Sequence, residues 1–165
     1  MTARILVAGI GNIFLGDDGF GSEVVRNAAL PQDNPSVRVT DYGIAGMHLA
    51  YDLLEDWDTL VLVDAVPSRG RPGTLHVFQA DHDAGCATVG FDGHSMDPAA
   101  VFASLRALGG NPPYTVVVGC EAGSVEEGIG LTDPVARAVP RAVHAIEEIV
   151  AALQIPAACP VPEEC

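Results

Sequence analysis

Three side chains that can bind a metal ion lie in predicted loops of this sequence: Asp18, Asp64 and His94. Asp18 follows a glycine-rich loop, Asp64 comes directly after the apolar run 59–63, and His94 lies in a long segment without apolar periodicity. Two carboxylates and one imidazole suit zinc, nickel, manganese or iron. A site with three protein ligands keeps open positions, so its metal can polarise a carbonyl or lower the pKa of a bound water.

Each of these residues also has a purely structural interpretation. Asp18 lies in a Gly-Asp-Asp-Gly run and could be a turn residue or the cap of the first helix. Asp64 is harder to explain in this way, because an ionised carboxylate at the end of a buried strand needs a partner or a function. His94 could be an ordinary loop histidine, and His82 competes with it on composition.

The elements that must position these side chains follow from the apolar pattern. Apolar runs of strand length alternate with amphipathic segments of helix length, which predicts an α/β sheet. Strands are predicted at 5–8, 37–40, 59–63, 75–78 and 115–118, and helices that begin near residues 19, 47, 98 and 133. The linker 64–74 is too short and too rich in Pro and Gly for a crossover helix, so strand 4 is expected to be antiparallel.

In an open parallel sheet, ligands bind beyond the carboxyl ends of the strands. Asp18, after strand 1, and Asp64, as the first residue beyond strand 3, are both predicted at that edge. The loop that carries His94 leaves antiparallel strand 4 at the opposite edge, so it has to return before helix 3 begins. Its length allows this return.

The composition excludes several classes of function. The net charge of −14 argues against binding to nucleic acid or anionic membranes. The chain contains no lysine, which excludes Walker-type phosphate loops and lysine catalysis. The four cysteines form no CxxC pair, so a disulfide framework is not expected. No apolar stretch approaches the roughly 18 residues of a membrane span, and we expect a cytoplasmic protein. One domain is expected over 1–153, followed by an irregular Pro-rich tail, 154–165.

The loop Gly9-Ile10-Gly11-Asn12-Ile13-Phe14 resembles the start of a dinucleotide-binding motif, but Phe14 occupies the third glycine position. The acidic pair that follows it would also repel a pyrophosphate. Nucleotide binding is therefore not predicted.

Four motifs in the same order resemble those of the hydrogenase maturation endopeptidases. They are residues 9–21 (GIGNIFLGDDGFG), 43–47 (GIAGM), 62–65 (LVDA) and 128–132 (GIGLT). The resemblance covers about residues 4–153. The sequence departs from it at Ile44, where many members have Thr, and at Leu131-Thr132-Asp133-Pro134, which is one residue longer than usual and moves the predicted helix cap to Asp133.

The resemblance implies a three-layer sandwich, with a twisted five-stranded, mostly parallel sheet, one antiparallel strand and helices on both faces. It also implies an endopeptidase that removes a short C-terminal extension from the large-subunit precursor of a nickel–iron hydrogenase after nickel insertion. The family's metal-binding residues fall on Asp18, Asp64 and His94. Nickel would be supplied by the substrate, while zinc, cadmium or a similar ion could occupy the site in the isolated protein, which we expect to be monomeric.

We expect the three residues to recognise the nickel in the unfinished hydrogenase, so that cleavage depends on correct loading. The held nickel, or a water activated at the site, would assist attack on the scissile carbonyl. Asp41 is a candidate for orienting the substrate, with a turn carboxylate as the alternative. Gly43 and Gly46 could offer backbone groups to an extended peptide, or serve only the turn.

Two other functions remain open at this point. A phosphoacceptor signalling domain also has paired acids after strand 1 and an Asp after strand 3, but it needs a lysine after strand 5, where this chain has Gly119-Cys120-Glu121. A non-catalytic nickel-binding maturation chaperone could use the same scaffold and the same ligands.

Overall fold

The computed structural model describes residues 2–30, 33–82 and 97–155, and these form one sheet with helices on both faces. The strands are β1 (Ile5–Ile10), β2 (Val37–Gly43), β3 (Thr59–Val66), β4 (Leu75–Gln79) and β5 (Tyr114–Glu121). The helices are α1 (Phe20–Asn27), α2 (Gly46–Asp52), α3 (Pro98–Ala107) and α4 (Asp133–Leu153), with a short 3-10 helix, Gly16–Gly19, before α1.

The strand order in the sheet is β2-β1-β3-β5-β4. The pairs β1–β2, β1–β3 and β3–β5 are parallel, whereas β4 pairs antiparallel with β5. The predicted antiparallel strand 4 and the predicted fold class are therefore confirmed. The carboxyl ends of four parallel strands lie at one edge, where the loops after β1, β2, β3 and β5 begin.

Successive side chains of each strand point to opposite faces of the sheet, so the core is divided into two parts, one on each face. In β3, Val61 and Val63 pack with α1 and α4, while Leu60 and Leu62 pack with α2 and α3. The six residues of β1 are all buried, as expected for a strand covered on both faces. Asp64 continues the series of Leu60 and Leu62, so its side chain lies on the α2 and α3 face.

The parallel strands extend two to three residues beyond their predicted carboxyl ends. Asp64, predicted as the first residue beyond strand 3, instead lies inside β3, paired with Gly119 of β5. The prediction ended each strand where its apolar run ends. Backbone pairing does not need an apolar side chain, so the ladder continues through Asp64 and Gly119.

Helix starts are confirmed in one case and corrected in another. Asp97 caps α3, its Oδ1 accepting a hydrogen bond from the Ala99 amide at 2.9 Å, with Pro98 in the first turn. The cap of α4 is Thr132 rather than the predicted Asp133, which is the first helical residue.

No helix in the described parts of the chain is long and apolar enough to span a membrane.

Candidate functional site

The glycine-rich loop after β1 folds back onto Asp18. Gly11 has φ +129°, and a Cβ at this position would collide with the Asp18 carbonyl oxygen. Only glycine permits both the backbone angle and the close approach. The Asn12 amide then donates a hydrogen bond of 2.8 Å to Oδ2 of Asp18, whose side chain is 4% exposed. The loop therefore fixes this carboxylate at the edge of the sheet.

A second glycine brings the 3-10 helix and α1 down onto the strands. A Cβ on Gly21, in the first turn of α1, would collide with the carbonyl oxygens of Val63 and Ile10. The absent side chain lets the start of α1 rest on the backbone of β1 and β3. Because Asp18 precedes this helix by two residues, the same close packing sets its distance from β3.

Asp64 lies at the point where β1 no longer pairs with β3. The last β1–β3 pair joins Gly9 to Val63, so Asp64 is the first β3 residue that has no β1 residue beside it. On its other side it pairs with Gly119, which has no side chain. The Asp64 carboxylate thus occupies a gap left by its two neighbouring strands.

The environment of the Asp64 carboxylate is unusual. It is fully buried, and within residues 2–30, 33–82 and 97–155 neither of its oxygens has a hydrogen-bond partner. Burial raises the pKa of Asp64 well above its usual range, and the charge of Asp18 raises it further; the backbone amide of Ala65, although outside hydrogen-bond geometry, lowers it. The 3-10 helix that carries Asp18 packs against β3, the strand that carries Asp64.

An unpartnered buried carboxylate beside a second carboxylate is costly without a cation. A divalent ion between Asp18 and Asp64 would remove both the desolvation penalty and the repulsion, and its oxygen ligands suit the hard or borderline metals named above. The two described acids therefore fit a metal ion. A metal here would act as a Lewis acid on a bound carbonyl or water.

The third predicted ligand, His94, lies outside the described residues, so its role stays a prediction. Its competitor His82 is described, and it lies elsewhere. The His82 ring is 3.0 Å from Thr115 Oγ1 and packs edge-on against Phe102. Thr115 pairs with Leu60, roughly 13 Å along the strands from Asp64. No group of three His, Cys, Asp or Glu side chains forms a metal site within the described segments.

The predicted substrate-orienting residue, Asp41, is engaged by its own fold. Its Oδ1 accepts hydrogen bonds from Ser22 Oγ at 2.7 Å and from the Gly43 amide at 3.1 Å, and its Oδ2 pairs with Arg26. The Gly43 contact is that of a turn carboxylate and supports the φ of +55° at this glycine. The Gly11 amide donates to the Gly43 carbonyl at 2.9 Å, and Gly46 begins α2. Substrate contacts by these three residues stay predictions.

Two acids that the sequence analysis did not single out organise the edge. Glu121, the buried last residue of β5, accepts hydrogen bonds from the backbone amides of Arg69 and Arg71 and lies 2.8 Å from the His76 ring. His76, through its hydrogen bond, and then the Arg69 amide lower the pKa of Glu121. Glu121 therefore ties the β3–β4 loop to the sheet.

The second such acid is Asp17, which is fully buried beside Asp18. Its carboxylate accepts hydrogen bonds from Gly123, Ser124 and Thr132, on the segment between β5 and α4. The paired acids of Gly-Asp-Asp-Gly were the available signal, because one predicted metal ligand in the pair leaves the other acid to be explained. Their different hydrogen-bond partners could not be read from the sequence, since they depend on which way each side chain turns.

The chain is similar to known proteins over most of its length. Residues 22–149 match the family model of the hydrogenase maturation proteases. The hydrogenase 2 maturation protease of Escherichia coli is 33% identical over 153 residues, covering 92% of this chain and 91% of the relative. A protein of Methanothermobacter thermautotrophicus described as coenzyme F420 hydrogenase subunit delta is 34% identical, covering 87% of this chain and 92% of that protein.

Solved structures show the likeness in three dimensions. The hydrogenase maturating endopeptidase of Escherichia coli superposes with a TM-score of 0.75 at 30% identity, covering 90% of this chain and 93% of the other. A hydrogenase 2 maturation peptidase from a thaumarchaeote gives a TM-score of 0.65 at 26% identity, covering 89% and 97%.

Proposed function

This chain belongs to the hydrogenase maturation protease family and is therefore a peptidase, and we propose that it removes the C-terminal extension of the large-subunit precursor of a nickel–iron hydrogenase. In this proposal the nickel already bound in the precursor is part of the substrate. Asp18 and Asp64 would hold it, with His94 as the third ligand.

The observation that carries the proposal is the unpartnered, buried carboxylate of Asp64 beside Asp18. A purely structural carboxylate at such a position would be expected to accept hydrogen bonds, as those of Asp17 and Glu121 do. Both carboxylate oxygens of Asp64 lack a hydrogen-bond donor among the described residues. A metal-loaded substrate can satisfy these acceptors, whereas a nickel-free precursor cannot, so cleavage would follow nickel insertion.

The residues of this chain then have distinct tasks. Asp64 would bind the substrate's nickel as an ionised carboxylate, with any proton it carries passing to solvent, because a protonated carboxyl is a poor ligand. The Asn12 amide holds Oδ2 of Asp18 in one orientation, and in this proposal the Asp18 carboxylate faces the metal. The neighbouring loops would keep the scissile bond close to the metal, which would polarise its carbonyl or an attacking water. In the isolated protein, zinc or cadmium could occupy the same ligands.

The rim of this edge offers apolar side chains to a protein substrate. Phe14 is 60% exposed, Ile44 67% and Ile129 79%, and they belong to the loops after β1, β2 and β5. At position 44, the exposed isoleucine would offer the substrate an apolar contact. These side chains surround the site on three of its loops, as expected for a peptidase that acts on a folded partner.

The decisive experiment mixes a nickel-loaded precursor with wild type, Asp64→Asn or Asp56→Asn and follows the precursor mass by mass spectrometry. Asp56 is an exposed acid between α2 and β3 and serves as the charge-matched control. We expect loss of a short C-terminal peptide with wild type and Asp56→Asn, but not with Asp64→Asn. Nickel binding without cleavage by the wild type would instead favour the maturation chaperone, and cleavage by Asp64→Asn would refute the proposed site.

A further inference from the structure

The buried carboxylate of Asp17 has four hydrogen-bond donors directed at it. Its Oδ2 accepts from the Gly123 amide at 2.7 Å, the Ser124 amide at 2.9 Å and the Thr132 hydroxyl at 2.7 Å, while its Oδ1 accepts from the Thr132 amide at 2.7 Å. Every one of these groups donates. An ionised carboxylate, which only accepts, is the side chain that satisfies all four.

The donors belong to a segment far from Asp17 in the chain. Residues 123–132 connect β5 to α4, more than one hundred positions later. Backbone hydrogen bonds join the same two segments: the Gly16 amide to the Gly128 carbonyl at 2.9 Å, the Gly128 amide to the Phe14 carbonyl at 2.8 Å, and the Asp17 amide to the Ser124 carbonyl at 2.9 Å. The loop that carries Asp18 and the segment that carries Ile129 therefore form one unit.

This arrangement explains why Thr132 does not use its hydroxyl to cap α4. A threonine at the N-cap commonly accepts a hydrogen bond from the first turn of its helix. Here Thr132 has extended backbone angles but makes no side-chain cap bond, and its hydroxyl donates to Asp17 instead. In place of a hydrogen bond within the first turn of α4, the Thr132 hydroxyl makes one that connects two loops distant in the sequence.

We propose that Asp17 is a positioning residue, which fixes the orientation of Asp18 by holding its loop against segment 123–132. The Asp17 carboxylate itself is directed at segment 123–132 and is assigned no metal ligand role. Its effect passes through the backbone, because Asp18 is the next residue and its Oδ2 must meet the Asn12 amide. The part of this inference that concerns metal binding rests on the proposed function, whereas the part that concerns the orientation of Asp18 does not.

The test compares the full-length wild type with Asp17→Asn, Thr132→Val and Thr132→Ser. Asp17→Asn replaces one carboxylate oxygen by an NH₂ group, which faces a donor where the carboxylate offered an acceptor. Thr132→Val removes only the hydrogen bond from the hydroxyl, and Thr132→Ser keeps that bond. Glu126→Gln, in the same segment but exposed, controls for the loss of one negative charge. Circular dichroism and thermal melting establish that each variant is folded at the temperature used.

The first readout is amide hydrogen exchange at Asn12, measured by NMR without any metal. This amide reports the position of Asp18, since it donates to Oδ2. We expect Asp17→Asn and Thr132→Val to accelerate its exchange relative to Val61 in the core, while Thr132→Ser and Glu126→Gln leave it unchanged. If exchange at the Thr132 amide accelerates but exchange at Asn12 does not, Asp17 only stabilises segment 123–132 and the proposal fails.

The second readout is the affinity for Ni²⁺ by calorimetry, together with the visible spectrum of the Co²⁺-loaded protein, which reports ligand geometry. Loss of an orienting partner typically weakens a metal site by about 10- to 100-fold, and we expect this for Asp17→Asn, a smaller loss for Thr132→Val and none for Thr132→Ser. Ni²⁺ affinity that is equal in wild type and Asp64→Asn would sink the proposed function but leave the Asn12 result to decide the role of Asp17. Wild-type affinity and spectrum in folded Thr132→Val and Asp17→Asn would overturn the positioning role.

Discussion

At the scale of single residues, four carboxylates at the edge of the sheet differ in what they accept. Asp17 and Glu121 are buried and fully engaged by amides, a hydroxyl or an imidazole. Asp18 accepts a hydrogen bond from the Asn12 amide, and Asp64 has no hydrogen-bond partner in the described parts of the chain. Asp17 and Glu121 hold loops together, whereas the burial of Asp64 would be compensated by the cation of the proposed site.

Burying the Asp64 carboxylate without a partner should lower the free energy of unfolding at neutral pH. Because its pKa is raised in the folded state, the folded protein holds a proton that the unfolded chain releases above pH 3.8, so stability falls as pH rises from 3.8 towards the folded-state pKa. We expect metal-free Asp64→Asn to melt above wild type at pH 7, by about 2–4 °C for each kcal/mol relieved, and the difference to vanish near pH 3.8. Scanning calorimetry across this range measures it.

Excess Ni²⁺ provides the matching control for this prediction. It should raise the melting temperature of wild type by binding the folded state and leave Asp64→Asn unaffected. Metal-free Asp64→Asn that instead melts below wild type at neutral pH would show that the carboxylate stabilises the folded state. The predicted destabilisation by its burial would then be wrong.

Glu121 should show the opposite pH dependence. Its pKa is lowered, chiefly by the hydrogen bond with His76, so it stabilises the fold above its ordinary pKa of 4.5 and this contribution is lost as pH falls through the lower folded-state value. Glu121→Gln should therefore melt below wild type at pH 7, with a difference that shrinks below pH 4.5. Melting curves of both proteins from pH 3 to 7 test this, and a difference that persists at the acid end would contradict it. The exposed Glu126→Gln is the control.

At the scale of elements, the site depends on how closely α1 and the preceding 3-10 helix approach the strands. Glycines at Gly11 and Gly21 make this approach possible, the first at the Asp18 carbonyl and the second at the carbonyls of Ile10 and Val63. These contacts are between backbones, so neither neighbour can move aside as a flexible side chain would. The distance between Asp18 and Asp64 is therefore set by the packing of elements as much as by the two side chains.

Gly21→Ala tests this dependence. Alanine favours a helix by about 1 kcal/mol over glycine, but the collision with two carbonyl oxygens should outweigh this gain and cost a net ~1–3 kcal/mol of unfolding free energy. Urea denaturation measures the change, with Glu23→Ala on the exposed side of α1 as the control for helix propensity. A variant as stable as wild type, with unchanged Ni²⁺ affinity, would show that α1 can shift without moving Asp18.

At the scale of the whole molecule, the excess of acidic over basic residues gives a net charge of −14. The charges repel one another throughout the compact state. At the site edge, the loops after β1, β2 and β5 (11–19, 43–46 and 122–132) contain no Lys or Arg, whereas the loop after β3 contains Arg69 and Arg71. This field would attract a cation to the edge as well as destabilise the fold. It is a property of the summed charges and belongs to no single contact.

Screening this repulsion should stabilise the protein. Raising NaCl from about 10 mM to about 200 mM shortens the Debye length from roughly 30 Å to below 10 Å. We expect the melting temperature at pH 7 to rise over this range, since the net repulsion extends further than the few exposed ion pairs. Sucrose at equal osmolality separates screening from solvent exclusion. A melting temperature that falls with salt would show that specific ion pairs outweigh the repulsion.

The sequence by itself determined the alternation of elements, the antiparallel β4, the cap of α3 and the candidate carboxylates Asp18 and Asp64. These features depend on local pattern, because apolar periodicity, linker length and turn chemistry are written in neighbouring residues. The family motifs, which lie in order along the chain, were equally readable from it. The comparisons with known proteins confirmed both the family and the peptidase class that these motifs predicted.

Tertiary structure alone decided which groups surround each acid. The sequence placed Asp64 beyond its strand, whereas pairing with Gly119 keeps it inside β3, with its carboxylate buried and unpartnered in the described structure. It could not separate Asp17 from Asp18, since their different partners, segment 123–132 and the Asn12 amide, are brought by folding. Burial, partner and charge environment are properties of three-dimensional neighbours, and those neighbours come from distant parts of the chain.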